Sequence, residues 1–125
     1  MQNHRVAVYG TLKQGLSNHR LLRDSRFLGR QRLTAITLYD LGSYPGARLE
    51  KSLGIEVEVY QVSSATLKQL DALEDYWPDN PEQGLYNRVT LPTRFGLVWV
   101  YTYNHSVAGR PSVRLGSWQP TPKRV

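Results

Sequence analysis

Two groups in this sequence have the residue types and spacing for chemistry. The first is the turn Gly10-Thr11-Leu12-Lys13-Gln14-Gly15, entered from the apolar run Val6-Ala7-Val8-Tyr9. A strand that stops at a Gly-Thr turn and closes on a second glycine presents bare backbone N–H groups, which suit an anion. The glycine spacing is that of a phosphate-binding P-loop, but that loop needs Lys and then Ser or Thr after its second glycine. Here Leu16 and Ser17 follow. With no lysine to meet the phosphate charge, a nucleotide-hydrolysing loop is rejected. What remains is a junction able to hold a carboxylate or an oxyanion, or else a tight turn whose glycine is structural.

The second group is Glu74. Residues 63–76 (SSATLKQLDALEDY) have helical periodicity, and Ser63 or Ser64 can cap the start by accepting a first-turn N–H. At roughly 100° per residue with Leu67 at zero, Leu70 falls near about −60°, Trp77 near about −80°, Leu73 near about −120° and Glu74 near about −20°. Glu74 therefore shares the apolar stripe, whereas Asp71 and Asp75 lie toward the polar side. An ionised carboxylate facing a core is costly, so it is either paired or holds its proton more tightly. The second state is what a general acid/base near neutral pH requires. Pairing with Arg88, on the strand that follows, is the alternative.

Other polar groups offer less. His4, His19 and His105 show no metal-ligand spacing, and no serine sits in a nucleophile elbow. Glu56 and Glu58 alternate with Ile55, Val57 and Val59, which places them on a solvated strand face. Tyr44, Tyr60, Tyr86, Tyr101 and Tyr103 could line a pocket or simply pack.

The elements that must position these groups follow from pattern. Residues 5–9 read as a buried strand and 18–23 as a short helix near Asn18. Residues 26–39 hold one or two strands, GSYPG (42–46) is a turn, and 54–61 alternate as a half-exposed strand. After the helix, WPDNPEQG breaks the chain. Residues 86–91 and 95–103 then form two strands, the latter apolar on both faces and so interior to a sheet. Beyond Tyr103 the prolines, Ser, Gly and Arg predict a basic, poorly ordered tail over 104–125. Several strands and one good helix argue for an α+β or barrel-like domain over a doubly wound sheet.

The 125 residues suit one domain, here 1–103 plus the tail. No run approaches the roughly 18 apolar residues of a membrane helix. No secretory signal is visible, so the expectation is a cytoplasmic protein with no membrane partner. The absence of cysteine excludes disulfides, thiol nucleophiles and thiolate metal sites. The net charge of +6 is uneven. Residues 1–32 carry seven basic groups and one acid, 33–103 five and nine, and 104–125 four and none. The basic cluster Arg20, Arg23, Arg26, Arg30 and Arg32 lacks the interleaved aromatics of a single-strand binding face. It reads as solvated surface, which disfavours nucleic acid as the partner.

Taken together, VYGTLKQGLSNHRLL, YPG, LDALEDY, LYNRV and VYTY, in that order over residues 5–103, resemble the γ-glutamylcyclotransferase-like superfamily. The resemblance is closest to its small γ-glutamylamine cyclotransferase-like branch. It implies an α+β fold on a small, mixed, partly closed β-barrel with one main helix. It implies a pocket with Tyr9, Gly10, Thr11 and Leu12 on one wall, the catalytic glutamate at Glu74, and Tyr86 and Arg88 from a Tyr-x-Arg motif. A late pocket tyrosine falls on Tyr101 or Tyr103, with Tyr101 preferred.

The implied reaction is an acyl transfer without metal or cofactor: a γ-glutamyl amide cyclises to 5-oxoproline and releases an amine or amino acid. Two departures bear on substrate identity. Asp75 stands where the family commonly has glycine, and 77–84 is long and proline-rich, able to act as a lid or to reshape the pocket. A non-catalytic ligand-binding or regulatory module on the same fold is the second reading, and a basic RNA-associated protein the third.

Overall fold

The fold is described from a computed structural model over residues 3–120. The larger sheet follows the order β2 (Arg26–Leu33), β5 (Gly54–Ser63), β1 (Asn3–Val8), β7 (Gly96–Tyr103), β6 (Tyr86–Thr93). β1 runs parallel to β7 and antiparallel to β5, so the sheet is mixed, and β9 (Leu115–Gly116) adds in parallel beside Gly54 and Ile55 of β5. A second sheet has the order β4 (Pro45–Arg48), β3 (Thr37–Asp40), β8 (Ser112–Val113). Among the described residues the one α-helix, α1 (Ser64–Leu73), follows β5 directly, and a 3-10 turn spans His19–Leu22.

Strand alternation explains the layers. Successive side chains point to opposite faces. In β1, Val6 and Val8 join a core cluster with Leu67 and Leu70 of α1, whereas Ala7 joins one with Leu38 and Ala47 of the second sheet. In β5, Ile55, Val57 and Val59 face the second sheet, whereas Tyr60 and Val62 face the helix. The large sheet is thus covered on both faces, by α1 on one and the small sheet on the other.

The α+β class with one main helix holds, but the partly closed barrel does not. The two sheets share no strand ladder, and β2 and β6 remain as edges of the larger one. Double coverage also overturns the solvated reading of Glu58. It is 6% exposed and accepts hydrogen bonds from the Gln14 N–H (2.9 Å) and the Tyr60 hydroxyl (3.0 Å). The charge is compensated by donors, as a buried carboxylate requires, and it ties β5 to the turn after β1.

Residues 104–120 also differ from the expected tail. β8 pairs with β3 and β9 with β5. Trp118 is 2% exposed, inside the core between the sheets. Lys13 is buried beneath it and donates to the Trp118 carbonyl at 2.7 Å. Two-residue strands have no periodicity to read, and one tryptophan supplies the apolar anchor. Residues 121–125 of the expected tail lie outside the described residues.

The helix begins as expected. Ser63 is the N-cap, with its hydroxyl accepting the Thr66 N–H at 3.1 Å. Ser63→Ala is expected to cost about 1 kcal/mol, read as a lower urea midpoint at unchanged m-value. The end comes earlier than the 63–76 pattern suggests. Asp75 adopts φ 54°, the left-handed conformation that terminates helices. Trp77, projected onto the apolar stripe, is consequently turned outward and 45% exposed.

Candidate active site

The strand-to-turn junction at Tyr9–Leu12, the C-terminal end of α1, the start of β4 and the adjoining ends of β6 and β7 converge on one pocket of about 360 Å³. Tyr9, Gly10, Thr11, Leu12, Glu74, Tyr86 and Tyr101 all line it. Arg88 and Tyr103 do not. Residues that pattern did not single out complete the wall: Ser17 and Asn18 after the turn, Ser43 and Pro45 around Tyr44, and Leu73 and Leu85 beside Glu74. Most come from loops, which carry no period. The YPG turn was the one available signal for the segment around Tyr44.

The turn is built to face the pocket. Gln14 N–H is held by Glu58, the Lys13 N–H bonds the Gly10 carbonyl at 3.0 Å, and the Asn18 N–H bonds the Thr11 carbonyl at 2.9 Å. The N–H groups of Gly10, Thr11 and Leu12 donate to no other group among the described residues. Asn18 Nδ2 donates to the Thr11 hydroxyl at 2.8 Å, which leaves the Thr11 proton free to donate. Gly10 faces Pro45 across a narrow gap: an added Cβ would lie 2.9 Å from the proline ring. The glycine here is required by close approach of two walls.

Glu74 is half-buried, and among the described residues neither a hydrogen bond nor an ion pair reaches its carboxylate. Phenols of Tyr9, Tyr86 and Tyr101 line the same pocket, but each is engaged elsewhere. Tyr9 donates to the Tyr101 carbonyl (2.6 Å) and accepts from the Ala47 N–H (3.2 Å). Tyr86 donates to the Pro45 carbonyl (2.6 Å), and Tyr101 donates to Asp71 (2.7 Å). The carboxylate is thus removed from water with nothing in exchange, and burial pushes its pKa up to about 7. Burial is also the first cause of the raised pKa of each of these phenols, with the Glu74 charge adding to it, so all three stay neutral.

Arg88, the alternative partner for Glu74, is committed to Asp71. Its Nε and Nη2 donate to the two carboxylate oxygens at 2.9 and 3.2 Å. Its guanidinium lies over the Trp99 ring (4.1 Å) and the Tyr76 ring (4.6 Å). Arg88, expected among the substrate-binding residues, does not line the pocket, and its side-chain donors are spent on Asp71. It stands behind the wall and orients Tyr101 through Asp71. Helical projection put Asp71 toward solvent, and its partners on β6 and β7 were not visible from one helix alone.

The arrangement can bind an anion on unsatisfied N–H groups and holds, in the same pocket, a carboxyl group that can exchange a proton near neutral pH. Comparison with known proteins gives the family. Residues 6–120 match the profile of the family described as gamma-glutamyl cyclotransferase, AIG2-like. A Vibrio cholerae protein, provisionally named a gamma-glutamylcyclotransferase, is 41% identical over 92% of this chain and 95% of its own. The gamma-L-glutamyl-butirosin B gamma-glutamyl cyclotransferase of Niallia circulans is 37% identical over 78% of this chain and 65% of its own. The solution structure of YtfP from Escherichia coli superposes with a TM-score of 0.72 at 35% identity, covering 91% of this chain and 95% of that one. With residues 6–120 inside the profile and a relative 41% identical over most of both chains, the chain belongs to the gamma-glutamyl cyclotransferase, AIG2-like family.

Proposed function

We propose that the protein cyclises a γ-glutamyl amide to 5-oxoproline with release of an amine or amino acid, Glu74 serving as general acid/base. The observation that carries this reading is the uncompensated Glu74 carboxyl, with its pKa about 7, in the same pocket as the open N–H groups of Gly10–Leu12.

In a γ-glutamyl amide the α-amine and the γ-carbonyl belong to one molecule, so reaction is largely a matter of holding a folded conformation. Glu74 takes a proton from the α-ammonium. The freed nitrogen attacks the γ-carbonyl carbon, the ring C–N bond forms, and the carbonyl oxygen takes up negative charge. Glu74 returns its proton to the leaving nitrogen as the exocyclic C–N bond breaks. The second proton lost by the ring nitrogen follows by the same carboxyl, so the amine leaves as an ammonium and Glu74 is restored.

The N–H groups of Gly10, Thr11 and Leu12 hold either the substrate α-carboxylate or the oxyanion. Tyr9, Tyr86 and Tyr101 supply a rigid apolar wall that keeps water from Glu74. The butirosin-directed relative supports a γ-glutamyl amide as the substrate class. The test is 5-oxoproline release from a panel of γ-glutamyl amino acids, γ-glutamyl amines and glutathione. Turnover of at least one class is expected, and silence across the panel by folded protein would remove the reading.

A further inference from the structure

Asp75 does not line the pocket, yet its contacts hold together the two segments that flank Glu74. Its Oδ1 accepts the Trp77 indole N–H at 2.7 Å. Its Oδ2 and its carbonyl oxygen both accept the Leu85 N–H, each at 3.1 Å. The 76–84 loop thus leaves and rejoins the fold at a single residue. Close packing reinforces the junction: an added Cβ on Gly84 would stand 1.8 Å from the Asp75 carbonyl oxygen and 3.0 Å from the Trp77 ring. From the other side, Asn104 Nδ2 donates to the carbonyls of Pro81 (2.7 Å) and Gly84 (3.0 Å). Leu73 and Leu85, on either side of this junction, are pocket residues next to Glu74.

We infer that Asp75 is a positioning residue for the reaction: its carboxylate clamps the 76–84 loop closed, holding Leu85 and the helix end so that Glu74 stays shielded from water and aimed across the pocket. The inference rests on the cyclisation reading for its kinetic part alone. A glycine would satisfy the positive φ of this position, so the geometry of the chain does not need aspartate; the two carboxylate bonds do. Burial is the one cause of the elevated Glu74 pKa, and the groups facing it are the neutral phenols of Tyr9, Tyr86 and Tyr101, with the Asp71–Arg88 pair behind them. A loosened loop admits water, so Glu74 becomes easier to ionise; loss of the Asp75 charge acts in the same direction and is common to every neutral replacement of Asp75.

The test uses Asp75→Gly and Asp75→Asn in the full chain. Asparagine tolerates the left-handed conformation and retains one acceptor oxygen. In Asp75→Gly, kcat is expected to fall about 10-fold with KM nearly unchanged, because a small misplacement of the acid/base costs rate. Asp75→Asn should recover most of that loss. Independently of turnover, the Glu74 carboxyl, assigned in 13C NMR by its absence from Glu74→Gln, should titrate about one unit lower in Asp75→Gly than in Asp75→Asn, two variants that lack the Asp75 charge alike. Equal titration of Glu74 in Asp75→Gly and Asp75→Asn would overturn the clamp, even with activity lost. If the carboxyl shifts but no form of the protein makes 5-oxoproline, the clamp stands and the cyclisation reading fails.

Discussion

Glu74→Gln is expected to lower kcat by about 10²–10⁴-fold while the chain keeps its fold, because the amide fills the same space but cannot carry a proton between nitrogens. The wild-type rate should rise as pH passes through about 7, where the carboxyl ionises and can accept the ammonium proton. The variant's residual rate should lack that limb. Single-substrate kinetics from pH 5 to 9, with circular dichroism on both proteins, checks the two statements together.

The same substitution has an effect on stability with the opposite sign. The folded-state pKa is raised from the ordinary 4.5 to about 7. Between these values the folded chain keeps a proton that the unfolded chain has lost. Wild-type stability from this group is therefore complete below about pH 4.5 and declines as pH rises toward 7. Above pH 7 the ionised carboxylate sits in its apolar socket unpaired, and Glu74→Gln relieves it. The variant should then be the more stable protein by about 2 kcal/mol, a value reduced because the pocket still admits water to one side of the group. Melting temperatures of both proteins from pH 4 to 8 should diverge with pH. Wild type gaining on the variant over that interval would mean that Glu74 has a cationic partner in solution.

Glu74 and the Gly10 turn were legible in the sequence because each breaks a local rule. One is a charge on an apolar stripe, the other a glycine-bracketed stop after a buried strand. β1, α1 and the β6–β7 hairpin were legible because their periods of two and 3.6 run long enough to register. Glu58 was not, since alternation gives faces but not whether both faces are covered. β4, β8 and β9 were not, because strands of two to four residues look like the Pro- and Gly-containing loops around them. Leu73, Leu85, Ser43 and Asn18 reach the pocket from chain ends and loops, where placement depends on tertiary contacts. Asp75 combined both cases. It read as a departure in an otherwise matching segment, but its contacts to Trp77 and Leu85 exist only once the loop has closed.

Arg88→Ala is expected to destabilise the fold by about 3 kcal/mol, because it leaves Asp71 in a half-buried site with, among the described residues, the Tyr101 hydroxyl as its remaining side-chain partner. Both side chains of the pair are 13% exposed, and the guanidinium also loses its stacking on Trp99 and Tyr76. Arg88→Lys should recover less than half of the loss, since an ammonium keeps the charge but neither the two-pronged bond nor the stacking. Joint replacement, Arg88→Met with Asp71→Asn, should be much milder than Arg88→Ala, because no charge is then stranded. A substrate-binding Arg88 predicts the reverse pattern: a KM raised at least about 10-fold with an unchanged urea midpoint, and no benefit from altering Asp71. The geometry favours the first pattern, because every donor bond shown for this side chain ends on Asp71 and its two faces are covered by rings. A family motif placed Arg88 among the binding residues; its contacts make it the brace that sets Tyr101, and through Tyr101 the wall beside Glu74.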